Sequence, residues 1–158
     1  MTRFEKWSIG LATTVVSASG LLYLWVRYFV TPTDPFSVIN HPLQPYLLQV
    51  HLLAAPPLVL LFGMVLQSHI LKKLRSGYRP NRRSGLVALW TFGVMTMSGY
   101  LLQMVTAPLV TTVVVWLHVG SGGVFTLSYV VHLAISLRLA AIEPRRRIDP
   151  GRALSGAR

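Results

Sequence analysis

Four histidines lie inside long apolar stretches of this 158-residue chain, His51 and His69 in one stretch, His118 and His132 in another. Imidazole titrates near neutral pH and is a good ligand for transition metals. An ionisable side chain at membrane depth is costly, and where it occurs it faces the bundle interior and marks a function. The spacing sharpens the point. Each helical residue turns the chain by about 100°, so the fourteen residues from His118 to His132 bring the two rings within about 40° of each other. The eighteen residues from His51 to His69 make five full turns and return to the same face. Each helix therefore carries one histidine towards either end of a single stripe.

The axial separations are about 21 Å for His118 to His132 and about 27 Å for His51 to His69. Two histidines so far apart cannot share a zinc or copper ion. Two facing helices would instead offer one imidazole pair at each of two levels, and paired neutral imidazoles suit the opposite faces of a haem iron. Gly122, Phe125 and Tyr129 lie between His118 and His132, and Leu58 and Phe62 between His51 and His69. A small residue permits close approach of a flat macrocycle, and the aromatic rings would fill the space between two cofactors. The run Gly120-Ser121-Gly122-Gly123 fits ordinary small-residue helix packing equally well. Ligand pairs should lie at matching depth, yet the two separations differ by about 6 Å in straight helices. The pair Pro56-Pro57 breaks the hydrogen-bond ladder, so a distortion is expected there that shortens the path from His51 to His69.

The elements that must hold these rings are membrane helices. Hydrophobic residues make up 53% of the chain and charged residues 12%, about half the charge of a soluble domain. No acidic residue occurs between Asp34 and Glu143. Four segments reach the roughly 20 apolar residues a span needs: Trp7 to Val30, Tyr46 to Leu74, Gly85 to Thr106 and Pro108 to Leu139. The expected fold is an all-α four-transmembrane-helix bundle over residues 1–142, followed by a basic tail, residues 143–158, that is disordered or lipid-associated. The first span is long enough to cross and lacks a small-residue cleavage site, so it reads as a retained helix. Fourteen of the 15 lysines and arginines flank the spans at the termini and in the loop between the second and third. Only Arg27 lies near the other side. Both termini are therefore expected on the cytoplasmic face of a bacterial inner membrane.

The net charge of +11 follows from that insertion rule and from anionic lipid, so nucleic acid is not an expected partner. The absence of cysteine removes disulfides, thiolate metal sites, iron–sulfur ligation and covalent haem attachment. Without a carboxylate inside the spans the chain is a poor proton-coupled transporter, and it has no nucleophile motif for a hydrolase. No internal repeat is evident. His41, between Asn40 and Pro42, reads as a loop histidine.

Ser98-Gly99-Tyr100-Leu101-Leu102-Gln103, Trp116-Leu117-His118-Val119-Gly120 and His132 fourteen residues on resemble the four-helix, two-haem b-type cytochrome subunits of bacterial membrane oxidoreductases, such as formate dehydrogenase and nickel–iron hydrogenase. The resemblance implies two haems b with His51, His118, His69 and His132 as axial ligands, transmembrane electron transfer, a larger redox partner subunit and, in many members, a quinone pocket. The first span has no histidine, so the second must supply two. Lys72, Lys73, Arg75 and Arg138 lie within a turn or two of His69 and His132 and suit haem propionates. Arg27 is the one cation on the other side, where anchoring beside Trp25 and Tyr28 accounts for it as well as a propionate does. Gln49, Tyr100 and Gln103 could donate to a quinone carbonyl. The competing reading is a haem-free membrane anchor or assembly subunit, with no enzymatic activity of its own.

Overall fold

A computed structural model describes residues 2–148 apart from residues 33, 35 and 77–80; side chains beyond 141 are outside the description. The described residues are helical throughout their regular elements: α1 (Arg3–Phe29), α2 (Gln44–Val65), a π-helical segment (Leu66–Leu71), α3 (Lys72–Arg75), α4 (Arg82–Leu101) and α5 (Pro108–Ile148). α2, the π segment and α3 make one continuous rod. Four helices are long and apolar enough to cross a membrane, which makes the chain a multi-pass membrane protein by length and composition. Large apolar side chains such as Trp7, Leu53 and Trp90 are exposed along them, as contact with hydrocarbon requires.

The chain divides into two units, Met1–Tyr78 and Arg79–Arg158, each a helical hairpin. In the first, Ile9, Thr13, Val16 and Ser19 form a buried stripe along α1, matched by Leu58 and Val65 of α2. In the second, Phe92 and Ser98 of α4 are buried with Val114 and Phe125 of α5. The Phe92 and Phe125 rings lie 5.3 Å apart at a tilt of 56°, a favourable edge-to-face geometry. Lipid tails are as apolar as these side chains, so close van der Waals fit rather than escape from water holds each pair together.

Polar caps set the ends. Thr2 and Glu5 close a reciprocal capping box at the start of α1. The Asn40 side-chain amide donates to the backbone carbonyls of Arg27 at 2.8 Å and Val26 at 3.3 Å, satisfying acceptors that the end of α1 leaves open. Asn40 also donates its backbone N–H to the buried Gln44 side chain at 2.9 Å, which ties that loop to the start of α2. Asn81 adopts a left-handed backbone (φ 58°), which asparagine tolerates, just before α4.

Three boundaries differ from expectation. The third span ends at Leu101 instead of Thr106, because Gln103 and Met104 bond back three residues and the chain turns towards Pro108. α5 runs on through Pro144 to Ile148, past the point where the basic tail was expected to begin; residues 149–158 lie outside the described part. The helix also continues through Pro56 and Pro57, and the departure from α winding comes ten residues later, at Leu66–Leu71. A π turn takes in more chain for less rise. The path from His51 to His69 is thus shortened as expected, but by rewinding around His69 rather than by a proline break.

Thr13 is 2% exposed, and its hydroxyl has no hydrogen-bond partner. An orphaned buried hydroxyl costs about 1–3 kcal/mol. Thr13→Val keeps the shape and removes the hydroxyl, so it should stabilise the chain by about 1 kcal/mol. Denaturant or thermal unfolding in detergent checks this.

Candidate functional site

Three of the four span histidines are held in the same way, each inside its own hairpin. The His51 ring lies against Gly20 of α1, where an added Cβ would stand 2.8 Å from Cε1. Its Nδ1–H donates to the Val16 carbonyl at 2.9 Å and has the Ser19 hydroxyl oxygen at 3.4 Å. In the other hairpin the His118 ring lies against Gly99, with 3.0 Å between an added Cβ and Cε1. His118 Nδ1–H donates to the Met95 carbonyl at 2.9 Å and has the Ser98 hydroxyl at 3.3 Å.

The third case is His132, whose ring faces Gly85 with an added Cβ 3.3 Å from Cε1. Its Nδ1 sits 3.2 Å from the Ser84 hydroxyl, and the Asn81 carbonyl faces the same ring. Each ring therefore meets a carbonyl, then a serine three residues on, then a glycine directly after it.

The serines have already placed their protons. Ser19 donates to the Val15 carbonyl at 2.7 Å, Ser98 to the Val94 carbonyl at 2.8 Å, and Ser84 to the Asn81 side-chain oxygen. Every group facing Nδ1 is thus an acceptor, and the network assigns the proton to Nδ1. That tautomer puts the lone pair on Nε2, the form in which imidazole binds a metal. Asn81 adds a further tie: its side-chain amide donates to the His132 carbonyl at 2.8 Å and to the Ser136 hydroxyl at 3.1 Å.

His69 is the odd member. It lies in the π segment, half-buried, and no Ser-Gly pair stands opposite it. Eighteen residues back along α1 from Gly20 is Thr2, the cap that precedes the helix. The neighbouring Ser68 approaches the Glu5 carboxylate, although its buried hydroxyl forms no hydrogen bond of good geometry.

The two hairpins thus repeat each other. Counting from the cradled ring, Leu58 and Phe125 are the buried residues seven positions on. Fourteen positions on, Val65 stands in the first hairpin where His132 stands in the second. His69 comes one turn later.

The stripe between His118 and His132 turns into its own hairpin. Gly122 packs on Met95, with 3.5 Å from an added Cβ to Sδ. Phe125 is 3% exposed and lies between Phe92 and Tyr129, which leaves almost none of its ring for other neighbours. Leu58 is buried in the same manner. Lys72 and Arg75 line a crevice of about 470 Å³ with Gln67, Leu71 and Ser76. Gln67 and Leu71 stand two residues to either side of His69, so this crevice opens on the opposite side of the rod from its ring.

Arg27, Arg138, Gln49, Tyr100 and Gln103 are exposed. His41 accepts from the Leu43 backbone N–H at 3.1 Å, a local loop role. Among the described residues no three histidine or carboxylate side chains gather into a metal site; a two-imidazole ligand set would not form such a cluster.

The serines, the glycines and Asn81 carry much of this geometry, and sequence reasoning passed over most of them. The signal was present: Gly85 and Gly99 are fourteen residues apart, the spacing of His118 and His132, and each glycine follows a serine.

Gly20→Ala and Gly99→Ala should each cost about 1–3 kcal/mol, because the new methyl meets a ring that its carbonyl bond holds in place. Gly123→Ala meets nothing within 4 Å and should be neutral or stabilise by up to about 1 kcal/mol. Unfolding of the three variants in detergent tests the contrast.

Comparison with known protein families, curated proteins and solved structures finds no match to this chain.

Proposed function

We propose that the chain is a di-haem b electron-transfer subunit of a membrane oxidoreductase, with the four span imidazoles as axial ligands in the pairing expected from the sequence. The observation that carries the reading is the repeated cradle: a ring pressed on glycine, its Nδ1–H given to a backbone carbonyl, its Nε2 left with the lone pair. A histidine that served only to bond between helices needs no fixed tautomer and no glycine beneath it. Ligand imidazoles need both, because orientation and basicity at Nε2 are set by the bond at Nδ1.

Haem supplies reversible one-electron chemistry at iron. The protein's part is to fix the rings, exclude water by its apolar surroundings and hold the ligands neutral. Lys72, Lys73, Arg75 and Arg138 at one end and Arg27 at the other are the cations that propionates would draw on. A quinone at one end, cytoplasmic termini and a bacterial inner membrane complete the proposal, with a larger redox subunit as donor or acceptor. The haem-free anchor remains the second reading, favoured only by the length and apolarity of the helices.

Purified protein should show a reduced b-type band and about two haems per chain. His51→Ala or His118→Ala should remove one haem and His69→Ala or His132→Ala the other. A colourless preparation from cells with ample haem would leave the anchor.

A further inference from the structure

The two ends of the hairpins are not built alike. Near the linked ends stand His51 and His118, each with the same glycine, serine and carbonyl around it. Near the open ends the second hairpin repeats this cradle at His132, reinforced by Asn81. The first hairpin does not. Where a counterpart of His132 would stand it has Val65, and its histidine comes four residues later. That histidine is wound into π geometry and lies level with the cap of α1 instead of a packed helical turn.

Each difference loosens the ring's placement. π winding is the less stable helical form and appears as local bulges, often at functional sites. A helix terminus frays before a helix interior does, and local opening is easiest where packed neighbours are few. The other three rings are seated on glycine faces that admit little rotation. A ligand bond to iron survives by the preorganisation of its donor, and one of the four donors here lacks the shared cradle.

Resting on the di-haem reading, we infer that His69 is an exchangeable axial ligand, and that its iron takes a small neutral sixth ligand from solution while the iron of His51 and His118 stays closed. In the exchange the bond from iron to His69 Nε2 breaks and a bond to the incoming donor forms on the same face; His132 keeps the opposite position. The iron's oxidation state does not change. The ligand class is a compact neutral donor, for which carbon monoxide on the reduced protein and free imidazole on the oxidised protein are the probes.

The test uses the full chain, purified with its haem and quantified first by haem extraction. Carbon monoxide added to dithionite-reduced protein should bleach about half of the b-type band, one haem of two. The double variant His51→Ala/His118→Ala, which retains only the other site, should then react completely. His69→Ala should react without the slow phase that displacement of a bound imidazole imposes on the parent protein.

Two haems that both ignore carbon monoxide, or that both react, overturn this inference and leave the di-haem assignment standing. So does a double variant whose remaining haem is inert. Protein without haem overturns the assignment itself, and the inference with it. The parent protein's amplitude decides the matter even if a variant fails to fold.

Discussion

An imidazole N–H inside hydrocarbon has no water to bond to, so the protein must supply an acceptor. In an α-helix nearly every carbonyl is already engaged by the N–H four residues on. This chain meets the need by letting a carbonyl accept twice, through its second lone pair, at Val16 and at Met95. Reaching that carbonyl requires the ring to lie almost on the neighbouring backbone. Glycine four residues after the carbonyl opens the necessary space, and the serine between them has its proton turned away onto its own helix. The rest of each hairpin follows from this bond, because it sets how closely the two helices approach.

The consequence for chemistry is directional. A ring whose Nδ1 is fixed by a carbonyl presents Nε2 on the far edge, away from the helix that holds it. The hairpin thus provides the orienting partner of a metal ligand without supplying a second ligand. This also explains why Phe125 and Leu58, on the same stripe as the histidines, are closed into the hairpin core. The stripe is a helix–helix contact, and the histidines belong to it by one edge only.

Repetition and its failure both carry information. Equivalent cradles at His51 and His118 imply equivalent mechanical support, whereas Val65 in the place of His132 breaks the correspondence. The π segment is the compensation: it holds a histidine on a rod whose α2 portion already uses the matching position for packing. A more regular sequence would have put histidine at 65 and kept α winding. Buried Val65 shows why that position is not open to it here, since it belongs to the apolar contact with α1.

Much of this could be read directly from the chain. Runs of apolar residues with no charge dictate helices of spanning length, because backbone groups in hydrocarbon must be satisfied within the segment. The spacings of His118 and His132, and of His51 and His69, place each pair on one helix face by local geometry alone. Even the need to shorten one path was legible from the mismatch of two lengths. What only the tertiary structure decided is which neighbour each stripe meets. Helical periodicity is a property of one segment, whereas contact with Gly20, Gly85 or Gly99 joins residues 31 to 47 positions apart. The winding around His69 belongs to the same class. Pro56 and Pro57 announced a break by their chemistry, yet α2 continues through them, and the irregularity went instead to the segment beyond the buried Val65, where the partner helix is coming to its end.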